Sequence, residues 1–184
     1  MINQSLSIRE LTTADLHLFA AYWLNADAAY LASMGVDINK LPTKEDFYNY
    51  WTSQFKLPVE QRASYCVVWE RNNIPVGHSS TRPVHYGKDA YMHIHLWKSE
   101  ERQKGMGSEF INLTVPHYFD VLKLQDLYCE PYALNPAPNR LLEKAGFDCI
   151  KEYNTTPGPS NFPQTVKLWH LGRQQFLQLY KHGL

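Results

Sequence analysis

The chain changes its hydrophobic period repeatedly, and each change predicts an element. Residues 6–11 read as a short strand. Thr12 or Thr13 then caps a helix with Asp15 in its first turn, and Leu16, Phe19, Ala20 and Trp23 form its apolar face. The stretch 25–41 is less regular, with a turn near Gly35. Thr43 reads as a second cap, ahead of Phe47, Tyr50, Trp51 and Phe55 at helical spacing. From Tyr65 the pattern becomes strand-like: 65–69 is a buried strand, 71–73 a hairpin turn and 74–82 the returning strand. Gly87 and Lys88 make the next turn, and 91–97 is a third long strand. A helix over about 107–122 follows, its apolar repeat at Ile111, Val115, Tyr118, Phe119 and Leu122, with a kink expected at Pro116. A strand over 126–130 leads to Asn135, an N-cap with Pro136 at the first helical position, and Gly146 closes that helix in a left-handed conformation. Strands over 149–153 and 165–170 flank the Pro-rich loop 154–163. A last helix, 173–181, lies in a C-terminal extension, 171–184.

A length of 184 residues fits one domain, 1–184, with ample core. Formal net charge is +0, which offers no footprint for nucleic acid or a membrane surface. An aromatic content of 14% suits a sheet with bulky packing but selects no ligand. Cys66, Cys129 and Cys149 each fall in a strand-like apolar run, so buried free thiols are expected rather than disulfides or metal ligands. The N-terminus has no signal-peptide pattern and no apolar run reaches transmembrane length, so the expected location is cytoplasmic.

Candidate chemistry concentrates at Arg102-Gln103-Lys104-Gly105-Met106-Gly107-Ser108, between the third long strand and a helix start. Glycines let backbone amides approach an anion, and a helix N-terminus adds unpaired donors and partial positive charge. The run lacks the third glycine of a dinucleotide fingerprint and the Lys-Ser/Thr of a Walker loop. It resembles the Gln/Arg-x-x-Gly-x-Gly/Ala pyrophosphate loop of the GNAT superfamily of N-acetyltransferases. A second stretch, Asn135 to Phe147, resembles the Asn-x-x-Ser-x-x-x-x-Glu-Lys-x-Gly-Phe signature of the branch that acetylates ribosomal proteins (RimJ/RimL-like).

The resemblance implies an α+β fold of three layers, a mixed and mostly antiparallel central sheet flanked by helices on both faces. It implies acetyl-CoA as cosubstrate and no metal. Leu96 and Trp97 would line a splayed strand and pair with the pantetheine arm, the Trp97 amide polarising the thioester carbonyl. Arg102 to Ser108 would hold the pyrophosphate. Asn135, Asn139 and Arg140 would reach coenzyme A, although a solvated charge is an equal reading of Arg140. Glu130 stands where some N-terminal acetyltransferases carry a glutamate base, and it also reads as a strand-end residue in solvent. His93 and His95 share a strand face and are alternative bases; packing within a polar pocket describes them as well. His78 and His85 rank below them. Tyr30 and Met34 are expected at the acceptor, and the loop 155–163 at the opposite rim.

Two departures from the family pattern bear on mechanism. Leu142 stands where many members carry a tyrosine acid, with Tyr132 as a candidate substitute, and Pro138 replaces the signature serine. The leading function is therefore acetyl transfer from acetyl-CoA to a primary amine by direct attack in a ternary complex. The alternatives are a catalytically silent acyl-CoA-binding module and, far behind, a zinc-dependent hydrolase built on the histidines. The acceptor, a small molecule or a protein N-terminus, is not legible, nor is oligomeric state, although dimers are common in such folds.

Overall fold

The computed structural model describes residues 5–97 and 105–181. Its strands are β1 (Leu6–Glu10), β2 (Tyr65–Arg71), β3 (Ile74–His85), β4 (Asp89–Leu96), β5 (Asp126–Cys129), β6 (Asp148–Thr155) and β7 (Gln164–Gly172). They form one seven-stranded sheet in the order β1-β2-β3-β4-β5-β7-β6. Every pairing is antiparallel except β4 with β5. The helices are α1 (Leu16–Leu24), α2 (Ala28–Ser33), α3 (Lys44–Phe55), α4 (Met106–Val121), α5 (Pro136–Lys144) and α6 (Arg173–Phe176), the last continuing as a π turn over Leu177–Lys181.

Alternation along the strands divides the apolar residues between two layers. On one face Val67, Trp69, Ala90 and Met92 pack beneath Phe110, Ile111, Val115 and Phe119 of α4. Trp69 stacks on Phe110 at 4.8 Å, and its indole N–H donates to Thr114 Oγ1 at 2.9 Å, so the buried donor is satisfied. On the other face Cys66 and Val68 lie under Leu16, Phe19, Phe47 and Trp51 of α1 and α3. The C-terminal extension belongs to the first layer: Phe176 is fully buried and stacks on Phe119 at 4.2 Å.

The mixed, mostly antiparallel sheet with helices on both faces agrees with the expected fold class. Three details correct the sequence reading. The stretch read as irregular contains α2, six residues started by Asp27, whose carboxylate accepts from the Ala29 and Tyr30 amides at 2.9 and 3.1 Å. Six residues are too short for a helical period to register. The terminal helix changes from α to π at Leu177. Cys149 is exposed rather than buried, because β6 is the edge strand and its residues are mostly solvent-facing.

Two local devices set the walls of the cleft described below. Arg9 of β1 forks onto Asp15, with both guanidinium contacts at 2.7 Å, and its Nε reaches Glu70 at 2.8 Å, which fixes the start of α1 against the sheet. The loop after β6 is latched to the segment after α2. The Asp37 amide donates to Ser160 O at 2.8 Å, Asn161 Nδ2 to Gly35 O at 2.8 Å and Gln164 Nε2 to Gly35 O at 2.9 Å. Gly35 is required there: its φ is +80°, and a Cβ would sit 1.9 Å from Gln164 Oε1.

The Arg9 guanidinium draws the Asp15 carboxyl down from 3.8 to about 2. A depressed folded-state value stabilises the native state above the unfolded value and ceases to do so as pH falls through the folded one. The stability advantage over Asp15→Asn should therefore be full above about pH 4 and vanish towards pH 2, as read by urea unfolding at stepped pH. A pH-independent difference would contradict this. Gly35→Ala should lose about 1–3 kcal/mol in the same assay and speed proteolysis within 156–163.

Candidate active site

The parallel pair β4–β5 is short. Its register runs from Asp89↔Asp126 to Tyr91↔Tyr128, whereas β4 continues to Leu96. Beyond Cys129 the chain leaves β4 but continues its existing register with β7: Tyr132 bridges Val166, Lys167 N donates to Pro131 O at 3.2 Å and Ala133 N to Thr165 O at 2.9 Å. A wedge-shaped gap opens between the two strands. A cleft of about 700 Å³ lies here, floored by His93, Ile94 and His95 and flanked by Glu130, Pro131 and Asn135.

The phase of the β3–β4 ladder decides which backbone groups face this gap. The Trp97 amide donates to Val76 O at 2.9 Å. In an antiparallel ladder hydrogen-bonded and non-bonded pairs alternate, so His95 and His93, opposite His78 and Ser80, also turn their backbone groups to β3. Ile94 and Leu96 take the opposite phase and face the gap. The expectation that the Trp97 amide serves the thioester is therefore corrected: that donor is committed to β3, whereas Ile94 has the phase that faces the gap.

Glu130 lies at the cleft and accepts a hydrogen bond from the Tyr153 hydroxyl. Burial, with the adjoining Glu130 carboxylate second, pushes the Tyr153 phenol up, so it remains a donor. His93 faces the cleft, its Nε2 3.3 Å from Arg82 O; desolvation by the surrounding walls holds the imidazole below its ordinary value. His95 Nδ1 meets the Tyr22 hydroxyl at 3.0 Å, and the ring stacks on His78 at 4.8 Å. His78 is fully buried and accepts from the Trp97 indole N–H at 2.7 Å. Burial, then nearby His95 and His93, hold it well below its ordinary value, so it is a neutral packing residue beneath the floor. His85 is far from this use, paired with Asp89 at 2.7 Å.

The remaining expected residues divide sharply. Gly105 is the N-cap of α4 at φ +77°, with open space where a Cβ would project. Met106, Gly107 and Ser108 form the first turn of α4, and Met106 is buried, so it offers only its backbone. Arg102, Gln103 and Lys104 lie outside the described residues. Asn135 caps α5, its Oδ1 accepting from Ala137 N at 3.4 Å, and lines the cleft. Asn139 departs from expectation. Its Oδ1 accepts from the Trp169 indole at 2.8 Å, and its Nδ2 donates to Tyr132 O and Asn135 O at 3.1 and 2.7 Å. That amide is buried within the fold and pins α5 to β7. Arg140 is exposed on α5. Met34 lines the cleft, whereas Tyr30 is not among its lining residues; its hydroxyl meets that of Tyr22 at 3.0 Å, and Tyr22 in turn meets His95. Leu142 is fully buried, so the position of the family's tyrosine is a core position here. Pro157 and Pro159 line the cleft from the opposite rim, as expected for that loop.

Sequence reasoning missed Tyr22, Tyr153 and Arg82. Tyr22 follows an apolar helical face and reads as packing. Tyr153 comes near Glu130 only because β7 and β6 follow β5 in the sheet order, which no local pattern encodes.

Comparison with known proteins accords with this geometry. The chain resembles a spermidine N-acetyltransferase from Vibrio cholerae, solved with CoA and spermine, at a TM-score of 0.76 and 19% identity over 94% of this chain and 98% of that one. RimL, a ribosomal alpha-N-protein acetyltransferase solved with coenzyme A, superposes at a TM-score of 0.75 with 13% identity, covering 93% and 96% of the two chains. An aminoglycoside acetyltransferase in complex with coenzyme A superposes at 0.68 with 19% identity, covering 95% and 98%. No curated protein matches the chain in sequence. The profile of the Acetyltransferase (GNAT) domain matches residues 5–148, and the chain belongs to that family.

Proposed function

We propose that the protein transfers the acetyl group of acetyl-CoA to a primary amine by direct attack within a ternary complex. The observation that carries the reading is the gap between β4 and β5, with a helix N-terminus at Gly105 and a carboxylate and two imidazoles at its margins. The pantetheine amides would pair with the gap-facing backbone of Ile94 as an added strand would. The pyrophosphate would sit at the first turn of α4, where unpaired amides and the helix dipole favour an anion, together with Arg102 to Lys104. The Ile94 N–H would polarise the thioester carbonyl, the role of an oxyanion donor.

An amine attacks only when neutral, and ordinary amine values lie well above neutrality. Glu130, oriented by Tyr153, is the first choice to accept the ammonium proton, directly or through water; His93 and His95 are the alternatives. The nitrogen then adds to the carbonyl carbon, the C–N bond forms, and collapse of the adduct breaks the C–S bond. Coenzyme A leaves as thiolate and takes a proton from solvent or the Tyr132 hydroxyl. Among the described residues no helix is long and apolar enough to cross a membrane, and a cytoplasmic setting with free access to acetyl-CoA suits this chemistry.

Calorimetric titration with acetyl-CoA should give saturable one-to-one binding. Gly105→Glu should abolish it, since a side chain at positive φ would bring negative charge to the anion site. Glu130→Gln should keep binding but lower kcat by about 10²–10⁴-fold in an amine acetylation assay. Absence of binding would overturn the reading, and binding without turnover by the wild-type chain would identify a silent acyl-CoA-binding module.

A further inference from the structure

We infer that the acceptor is a small amine bearing a carboxylate and a flat apolar body, an amino-acid-like molecule rather than a polycation. This rests on the proposed acetyl transfer at the same cleft. Size enters first. The latch from Asp37 and Gly35 to Ser160, Asn161 and Gln164, reinforced by Lys40 Nζ on Asn161 O at 2.9 Å, bounds the cleft opposite α1. A compact molecule fits such a space more readily than a protein tail.

The walls and their charges narrow the class. Trp23, Phe47, Tyr50 and Trp51 form one wall, and Pro157 and Pro159 the other. Rings of this kind bind apolar, planar groups. Among the described lining residues only Asp46 and Glu130 carry carboxylates, set against Lys40 and Arg82. Each carboxylate already accepts a hydrogen bond, Asp46 from Thr43 Oγ1 at 2.6 Å and Glu130 from the Tyr153 hydroxyl. A polyamine or aminoglycoside would bring several ammonium groups to a wall with no net negative charge.

Arg82 completes the reading. Its guanidinium carbon lies 4.5 Å from the centre of the Tyr50 ring, and Tyr50 is itself anchored by a 2.5 Å hydrogen bond between its hydroxyl and Ser64 Oγ. The ring holds the guanidinium plane and leaves its N–H edges open. No carboxylate among the described residues forms an ion pair with it. A planar fork with no ion-pair partner among the described residues, beside the His93 floor, is suited to grip a ligand carboxylate through two parallel hydrogen bonds. The acceptor would then lie with its carboxylate at Arg82, its apolar body on the aromatic wall and its amine towards Glu130.

The test is steady-state acetylation of phenylalanine, 2-phenylethylamine, spermidine and kanamycin by the wild-type chain and by Arg82→Gln, with acetyl-CoA calorimetry alongside. Phenylalanine should show the highest kcat/KM. Arg82→Gln should raise its KM about 10–100-fold more than that of 2-phenylethylamine, the value of a charged hydrogen-bond pair. Preference for spermidine or kanamycin would overturn the inference from the wild-type data alone, whatever the variant's folding. An equal KM change for both aryl amines would overturn the role of Arg82. Failure to bind acetyl-CoA would remove the underlying function instead, and binding with no turnover of any amine would overturn both.

Discussion

The structure turns on a choice made by the backbone just after Cys129. β5 lies between β4 and β7, yet it pairs with β4 for only three residues, while from Cys129 through Ala133 the chain keeps its register with β7 and leaves β4 behind. The backbone of Ile94, in the phase that faces away from β3, therefore looks into the gap. In most sheets such an exposed edge is a liability. Here it lies inside the fold, between a helix N-terminus and a polar cluster, where an extended ligand can supply the missing pairing.

Much of the remaining architecture keeps that edge in place. Above the gap, α1 and α3 cover β2 and β3 with aromatic rings, and Arg9 fixes the start of α1 through Asp15. Below it, α4 packs the opposite face and brings its N-terminus to the sheet. The histidines illustrate how position sets role. His78 is sealed under Trp97 and Phe19, loses its access to water and stays neutral. His93 and His95, at the floor of the cleft, stand where an imidazole can meet a ligand. Asn139 and Asn135 divide similarly: one is enclosed by Trp169 and two carbonyls, the other remains at the cleft edge.

The order of elements was legible because long periodic segments and their caps, such as Thr43 and Asn135, act locally. The glycine at the start of α4 was legible for the same reason, since a positive φ at a helix start favours glycine. What could not be read depended on partners distant in sequence. Trp97 was assigned to the gap from its spacing to Arg102, but only its bond to Val76 reveals the phase of the ladder. Asn139 resembled a cofactor contact within its motif, and Trp169, thirty positions away, claims it. Cys149 sat in an apolar run, but its strand took the sheet edge.

The most direct measurement is backbone amide hydrogen exchange, resolved residue by residue, with and without acetyl-CoA. If the gap-facing edge of β4 is where the cosubstrate pairs, the Ile94 amide should exchange rapidly in the free protein and slow strongly on binding. The Trp97 amide, bonded to Val76, should be protected in both states. An Ile94 amide unchanged by bound acetyl-CoA, or new protection appearing at Trp97 instead, would contradict the account.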